Sequence, residues 1–356
     1  MIRRAREVGL VGGLVGLVAT GAALGLAAER YVVGRVRFRP DPEAAQPFFA
    51  LPADRVRRVV TDDGVPLHVE EVGPAGDVPV TLVFCHGYTQ EMAAWHYQRA
   101  ALAADGVGRL VFWDQRSHGR SGRGRPENAT IDQLGRDLSA VLDATAPRGP
   151  VVLVGHSMGG MTVMALADQH PELFGPRVVG VGLVSTSAGR LAEVTFGLPA
   201  LVMPVSRRVL PYLTRSMRAR PRVFERGRRL GTDLAFLATR RTAFGSSDVP
   251  PSVVEFVETM TAHCPVDVIG EFYDTFTDHD KLRALDALRA VDVLLLVGSR
   301  DLVTPQDHTQ AMAEFVPHAE LVVVDGAGHM VQLEQPRPVT DGLRALVRRS
   351  VARTAA

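Results

Sequence analysis

Six short apolar runs recur along the chain, each bounded by turn or polar residues: PVTLVFCH from Pro79, RLVFWD from Arg109 to Asp114, VVLVGH from Val151 to His156, VVGVGLVS from Val178 to Ser185, VDVLLLVG from Val291 to Gly298, and ELVVVD from Glu320 to Asp325. They lack the alternation of a half-exposed strand, so each predicts a strand buried on both faces of a parallel sheet. Ahead of them, RVRRVVT from Arg55 and PLHVEEV from Pro66 flank Asp63-Gly64 and predict an opening hairpin. Helical stretches separate the runs. In the clearest, Thr130 to Ala146, residues Ile131, Leu134, Leu138, Val141 and Leu142 share one face, and Thr130-x-x-Gln133 has the form of a capping box. Strands separated by helices require crossovers, hence an α/β fold with a mostly parallel, doubly wound sheet and helices on both faces.

The alternation stops between Gly189 and about Arg289, where Pro-punctuated helical segments replace it, and strand-like runs resume at Val291. This pattern predicts a helical cap over residues 190–289, inserted between a first core part (40–189) and a second (290–356). A Pro-rich stretch with Pro40, Pro42, Pro47 and Pro52 reads as the linker into the core.

Residues 1–39 form a separate problem. Val8 to Ala28 is a run of 21 uncharged residues, preceded by Arg3, Arg4 and Arg6 and followed by Glu29 and Arg30. As a helix it spans about 30 Å, the thickness of a bilayer's hydrocarbon. Gly9/Gly13, Gly12/Gly16 and Gly21/Gly25 have the spacing of close helix contacts in membranes. The expectation is a single N-terminal membrane helix through residues 8–28. The alternative is a signal peptide cleaved after Gly25-Leu26-Ala27, giving a secreted protein. Arginines flank both ends, so the positive-inside rule gives no orientation.

Charge narrows the classes further. With 40 basic against 39 acidic side chains, the net charge of +1 excludes a dedicated nucleic-acid binder. Lys281 is the only lysine, which removes any P-loop GK motif, and the two cysteines, Cys85 and Cys264, form no zinc-spaced cluster. No metal and no cofactor are expected. Cys85 reads as an inert core thiol, and Cys264 falls in the cap.

The sharpest chemical feature is Gly155-His156-Ser157-Met158-Gly159-Gly160, placed between the buried run VVLV and the helical stretch MTVMALADQH. G-x-S-x-G in a strand-turn-helix context is a nucleophile elbow: the serine occupies a strained turn, and side chains at Gly155 or Gly159 would crowd the neighbouring strand and helix. A serine hydroxyl needs a base, and the base needs an orienting acid. Among the histidines, His329 follows LVVVD and the Gly326-Ala327-Gly328 loop, which places it at the carboxyl edge of the sheet where Ser157 emerges. Asp301 follows VLLLVGSR at another strand end and is the candidate acid, whereas Asp292, Asp307 and Asp325 are poorer placed. Two backbone amides should hold the oxyanion, that of Met158 after the nucleophile and that of Tyr88 in the loop carrying His86 and Gly87.

Together, His86-Gly87-Tyr88, Asp114-x-Arg116-Ser117-His118-Gly119-x-Ser121, GHSMGG, GSRDLVTP and GAGHMVQLEQP resemble the α/β-hydrolase superfamily, especially its lid-bearing esterase, lipase and peroxidase-like branch. The likeness runs from about Arg55 to the C-terminus. It implies an eight-stranded sheet with the cap over the site, and loop-shaping rather than catalytic roles for Asp114 and Arg116. Ser117 and His118 depart from the family's usual Gly and variable residue. The chemistry so expected is hydrolysis of an apolar small-molecule ester through an acyl-enzyme on Ser157. The alternatives are thioester or lactone hydrolysis, cofactor-free haloperoxidation by the same triad, or a non-catalytic membrane-bound ligand receptor. Substrate and oligomeric state stay open at this level.

The cap is the least legible part. Arg207 to Leu230 holds nine arginines against one acid, Glu225, with apolar residues interspersed. It reads as a cap with one solvated face and one apolar face over the site, or as a surface for an anionic bilayer. FGLPALVMPV, Phe196 to Val205, is a candidate acyl-pocket lining.

Overall fold

The computed structural model describes residues 39–194, 203–230 and 232–354. Eight strands form one sheet: β1 (Arg55–Val60), β2 (Pro66–Val72), β3 (Thr81–Cys85), β4 (Arg109–Trp113), β5 (Val151–His156), β6 (Val178–Val184), β7 (Asp292–Gly298) and β8 (Glu320–Val324). Their spatial order is β1-β2-β4-β3-β5-β6-β7-β8. The opening hairpin pairs antiparallel, β2 is antiparallel to β4, and all remaining pairs are parallel. The apolar runs thus become the parallel strands, and every residue of β3, β5 and β6 is buried.

Within those uniformly apolar runs the pleat still sorts side chains by face. Val83, Cys85, Val111, Trp113 and Leu153 pack into one core layer, and Leu82, Phe84, Phe112, Val152 and Val154 into the other. Helix α1 (His96–Asp105) lies on the second face. Helices α2 (Ile131–Thr145) and α3 (Met158–Gln169) lie on the first, so both faces are dry. The Thr130 hydroxyl caps α2 by accepting from the Gln133 amide at 3.1 Å, as its sequence predicts. The reciprocal half of the capping box is absent: the Gln133 side-chain amide donates to Asp62 and Asp137 instead.

After β6 the chain enters the cap, with α4 (Met203–Ala219), α5 (Pro221–Leu230), α6 (Thr232–Ala243), α7 (Pro251–His263) and α8 (Val266–Thr277). It returns to β7, then continues through α9 (Gln306–Phe315), β8, the short α10 (Val331–Glu334) and α11 (Pro336–Thr354), whose Leu343 and Leu346 seal the second face. Phe236, Phe256 and Met260 of the cap share a third cluster with Met330 and Leu333, joining cap to core.

Two expectations need correction or placing. The Pro-rich stretch is not a free tether: Asp41 accepts from the Ser252 amide at 2.7 Å, and Phe48 stacks on Phe256 with centroids 4.5 Å apart. Aromatic burial and a carboxylate at the start of α7 hold it to the cap. The N-terminal segment of residues 8–28 lies outside the described residues. Among the described residues, no helix is long and apolar enough to cross a membrane.

Arg116 shows how the loop after β4 is held. Its guanidinium, wholly buried, donates twice to Asp137 at 2.6 Å and to Asp63 at 2.8 and 3.0 Å. Chiefly through these Arg116 bonds, the Asp63 carboxyl is held well below the usual carboxylate range. Arg116→Met should destabilise the protein by about 3–5 kcal/mol, because Asp137 is left as a buried charge without its cation. The check is a lower denaturation midpoint at unchanged slope, with much of the loss recovered in the Arg116→Met/Asp137→Leu pair.

Candidate active site

Ser157 occupies the turn between β5 and α3 with φ 52° and ψ −120°, a backbone conformation that costs energy for a non-glycine residue. The flanking glycines make that turn possible. A Cβ at Gly155 would lie 2.4 Å from the Gly159 carbonyl oxygen, and one at Gly159 would lie 2.1 Å from that of Cys85. The second contact matters most, since it sets the elbow directly against the end of β3 and the His86-Gly87-Tyr88 loop. The elbow is tied to β6 as well: the Ser157 amide donates to Val184 O at 3.1 Å, and the Thr186 hydroxyl donates to Ser157 O at 2.7 Å.

Two backbone donors face no partner among the described residues: the amide of Met158, which opens α3, and that of Tyr88. The first amide of a helix has no intrahelical acceptor and sits at the positive end of the dipole. The Tyr88 loop is braced from both sides. The Gln115 amide donates to His86 Nε2 at 2.9 Å, so His86 Nδ1 carries the proton and donates to Gly87 O at 2.8 Å. His118 repeats the device: Nε2 accepts from the Thr89 amide at 3.2 Å, and Nδ1 donates to Arg116 O at 2.9 Å. Burial pushes both rings down, His86 to about 4 and His118 to about 3, so each is a neutral spacer of fixed tautomer. The family departure at His118 is therefore structural: it supports Thr89, which stands at φ 58° beside the oxyanion loop.

The carboxylate and imidazole meet. His329 Nδ1 lies 2.9 Å from Asp301 Oδ2 and 3.1 Å from Oδ1, with both residues buried. Asp301 also accepts from the Val303 amide at 2.8 Å, and from the Thr304 amide and hydroxyl, each at 2.9 Å. Burial alone would raise its carboxyl, but the His329 ring and these amides outweigh it and hold the group below its ordinary value. Ser157 Oγ makes no hydrogen bond among the described residues, so of the two bonds expected between Ser157, His329 and Asp301 only that from Asp301 to His329 is formed; catalytic hydrogen bonds are often open in the absence of substrate. His329 is nonetheless fixed beside the elbow: His156 Nε2 donates to His329 O at 2.9 Å, and the two rings stand 4.8 Å apart.

A second serine and histidine are in contact, Ser187 Oγ and His308 Nδ1 at 2.7 Å. Their polarity is wrong for nucleophile and base. The Ser187 proton goes to Gly189 O, and the same oxygen accepts from the Gly189 amide, so His308 faces it as a donor. Among the described residues no group of three or more His, Cys, Asp or Glu could hold a metal. Cys85 and Cys264 are both free and buried, and burial pushes each thiol up to about 12.

The chain matches the family model for the alpha/beta hydrolase fold over residues 80–336 and belongs to that family. It is 28% identical over 285 residues to a dihydrolipoyllysine-residue acetyltransferase component of an acetoin cleaving system from Pseudomonas putida, covering 78% of this chain and 66% of that protein. The chain thus spans about two thirds of that relative's length. It is 35% identical over 130 residues to lipase LipV of Mycobacterium tuberculosis, covering 36% of this chain and 47% of that protein. A thermophilic esterase structure from Thermogutta terrifontis shares the fold with a TM-score of 0.63 at 24% identity, covering 83% of this chain and 99% of that one.

Several supporting groups escape sequence reading. His156 is the unspecified residue of G-x-S-x-G, so nothing marks it as the donor to His329. Thr304 had a usable signal, since Asp-x-x-Thr is the spacing at which an aspartate closes a turn on downstream amides. Glu334 had none. Its carboxylate accepts from the Gly328 amide at 2.7 Å, the Ser246 amide at 2.7 Å and the Gly245 amide at 3.0 Å, binding the end of the cap to the loop that carries His329. Glu334→Gln should lower stability by about 2 kcal/mol, since a neutral amide offers one acceptor where three donors converge. Ester turnover should fall about tenfold as the His329 loop loosens. Thermal melting and kcat together check this.

Proposed function

We propose that this protein is a serine hydrolase that cleaves an apolar carboxylic ester through an acyl-enzyme on Ser157. The observation that carries the reading is the Asp301–His329 pair, buried and hydrogen-bonded beside a strained serine turn with two unspent amides next to it. In the proposed sequence His329 Nε2 takes the Ser157 proton as Oγ bonds to the carbonyl carbon. The Met158 and Tyr88 amides bind the oxyanion. Its collapse breaks the bond to the leaving alkoxide, which receives the proton from His329, and water then repeats the steps on the acyl-enzyme.

An apolar acyl group is supported by the roof over the oxyanion loop. Tyr88 packs on Phe276 with centroids 4.9 Å apart and on Phe272 at 6.5 Å, and its hydroxyl donates to Ile269 O in α8. The likeness to lipase LipV points the same way. The acyl-pocket expectation for Phe196 to Val205 falls on side chains outside the described ones.

Turnover of p-nitrophenyl esters of increasing chain length, beside acyl-thioesters, lactones and peroxide with halide, tests the assignment. Preference for esters supports it; turnover confined to another class replaces it with thioester, lactone or haloperoxidase chemistry. A ligand retained without product on a chain that turns over none of them establishes a receptor. Residues 8–28 are proposed as the membrane anchor. The N-terminal mass of the protein recovered from membranes separates a retained segment from a cleaved signal.

A further inference from the structure

The arginine-rich part of the cap turns only some of its apolar residues inward: Leu210, Met217 and Phe224 are half-buried, and others face solvent. Val209, Tyr212 and Val223 are 54%, 70% and 64% exposed, and Leu213 is also exposed. Val209, Tyr212 and Leu213 stand at i, i+3 and i+4 on one face of α4, Val223 is exposed on the next helix, and four such side chains in water require an explanation. The inner side of α4 is already occupied: Thr214 is buried, and a Cβ at Gly270 of α8 would lie 2.7 Å from Thr214 O, while Arg218 pairs with Asp274 at 3.3 Å. The outward stripe is therefore what remains after the cap has packed.

Cations surround that stripe. Arg208, Arg215, Arg220, Arg222 and Arg226 are exposed and have no acidic partner among the described residues. The single acid of the segment, Glu225, is engaged by Arg228 at 2.6 Å and by the Val266 amide at 3.0 Å. Unpaired arginines beside exposed Val, Leu and Tyr on helices match what an anionic lipid surface binds: the cations meet headgroup phosphates, and the apolar side chains with the amphipathic Tyr212 enter the interfacial layer.

We propose that the outer face of α4 and α5 docks on an anionic lipid bilayer. Charge selects this occupant over the others. A second copy would bring the same arginines against themselves. Residues 1–38 of this chain carry six arginines against two glutamates, and their run from Val8 to Ala28 carries no charge, so they offer the cap's arginines no net counter-charge. A nucleic acid would satisfy the arginines but leave the apolar stripe in water. The face lies on the helix packed behind α8, whose Phe272 and Phe276 cover Tyr88, so docking sets the cap against the lipid phase.

Amide hydrogen exchange of the full chain tests this, because it reads residues 208–228 directly and is independent of turnover and of any contribution from the N-terminal segment. With vesicles of phosphatidylcholine and phosphatidylglycerol, these residues should gain protection that phosphatidylcholine alone does not give and that added salt reverses. In Arg215→Gln/Arg220→Gln/Arg222→Gln/Arg226→Gln the affinity for the anionic vesicles should fall about a hundredfold or more. Hydrolysis of a short soluble ester should be unchanged, showing that the fold survives. Equal protection by both lipids, protection retained in the variant, protection by self-association without vesicles, or protection by a polyanion such as heparin but not by vesicles would each overturn the proposal.

Discussion

Replacing Ser157 with alanine should lower kcat for short p-nitrophenyl esters by about 10⁵- to 10⁶-fold and abolish labelling by a fluorophosphonate, the loss expected when the nucleophile of such a unit is removed. The test is clean because the substitution deletes an atom that bonds to nothing among the described residues. The ties that hold the turn, from the Ser157 amide to Val184 O and from the Thr186 hydroxyl to Ser157 O, use the backbone and survive. The positive φ of 52° costs alanine about what it costs serine, so the melting temperature should stay within a degree or two of the parent. Loss of turnover at unchanged stability assigns the chemistry to Oγ. Ser187→Ala is the companion variant. Its hydroxyl is spent on Gly189, so turnover should survive with at most a few-fold loss. Retained hydrolysis and labelling in Ser157→Ala would end the proposed mechanism.

The parts of this molecule that could be read in advance are those in which local pattern and final environment coincide. β5 is buried on both faces, so its uniform apolarity and its position before G-x-S-x-G announce both the strand and the turn. Asp301 and His329, 28 residues apart in sequence, could be placed together because each follows a strand of the same parallel sheet, and such ends share one edge. The cap follows no such rule. Its helices are amphipathic, and an amphipathic helix says which face is apolar without saying what covers it. In α4 the sequence suggests a single apolar face over the site, whereas the close contact between Thr214 and Gly270 turns Leu210, Thr214 and Met217 inward and leaves Val209, Tyr212 and Leu213 outside.

The positioning network was hidden for another reason. His118, His156 and Glu334 act through backbone groups of residues far away in sequence: the Thr89 amide, the His329 carbonyl, and the amides of Gly245, Ser246 and Gly328. A backbone partner leaves no residue type to recognise. What these residues share is that each bridges two loops leaving different elements of the site, so they set the distance between groups that the family motifs only name.

Asp301→Asn should reduce kcat by about 10⁴-fold while leaving KM nearly unchanged, because the carboxylate sets the tautomer of His329 and does not touch substrate. In the parent both carboxylate oxygens accept: Oδ1 from the Val303 and Thr304 amides, Oδ2 from the Thr304 hydroxyl and, most closely, from His329 Nδ1. Asparagine has one acceptor oxygen. If that oxygen keeps the two amides, the side-chain NH₂ is turned toward His329 Nδ1. The ring then protonates on Nε2, the atom that must take the Ser157 proton, and catalysis fails with the site otherwise intact. The same substitution has a pH signature. Since the native Asp301 carboxyl is held below its ordinary value, its contribution to stability is complete above the unfolded carboxylate value of about 4 and is lost as pH falls through the lower native one. The stability gap between parent and Asp301→Asn should therefore be constant near neutrality and narrow below about pH 4. A gap that widened toward acid would mean that the carboxyl is protonated in the native state, and His329 would then lack the anion on which the proposed mechanism depends.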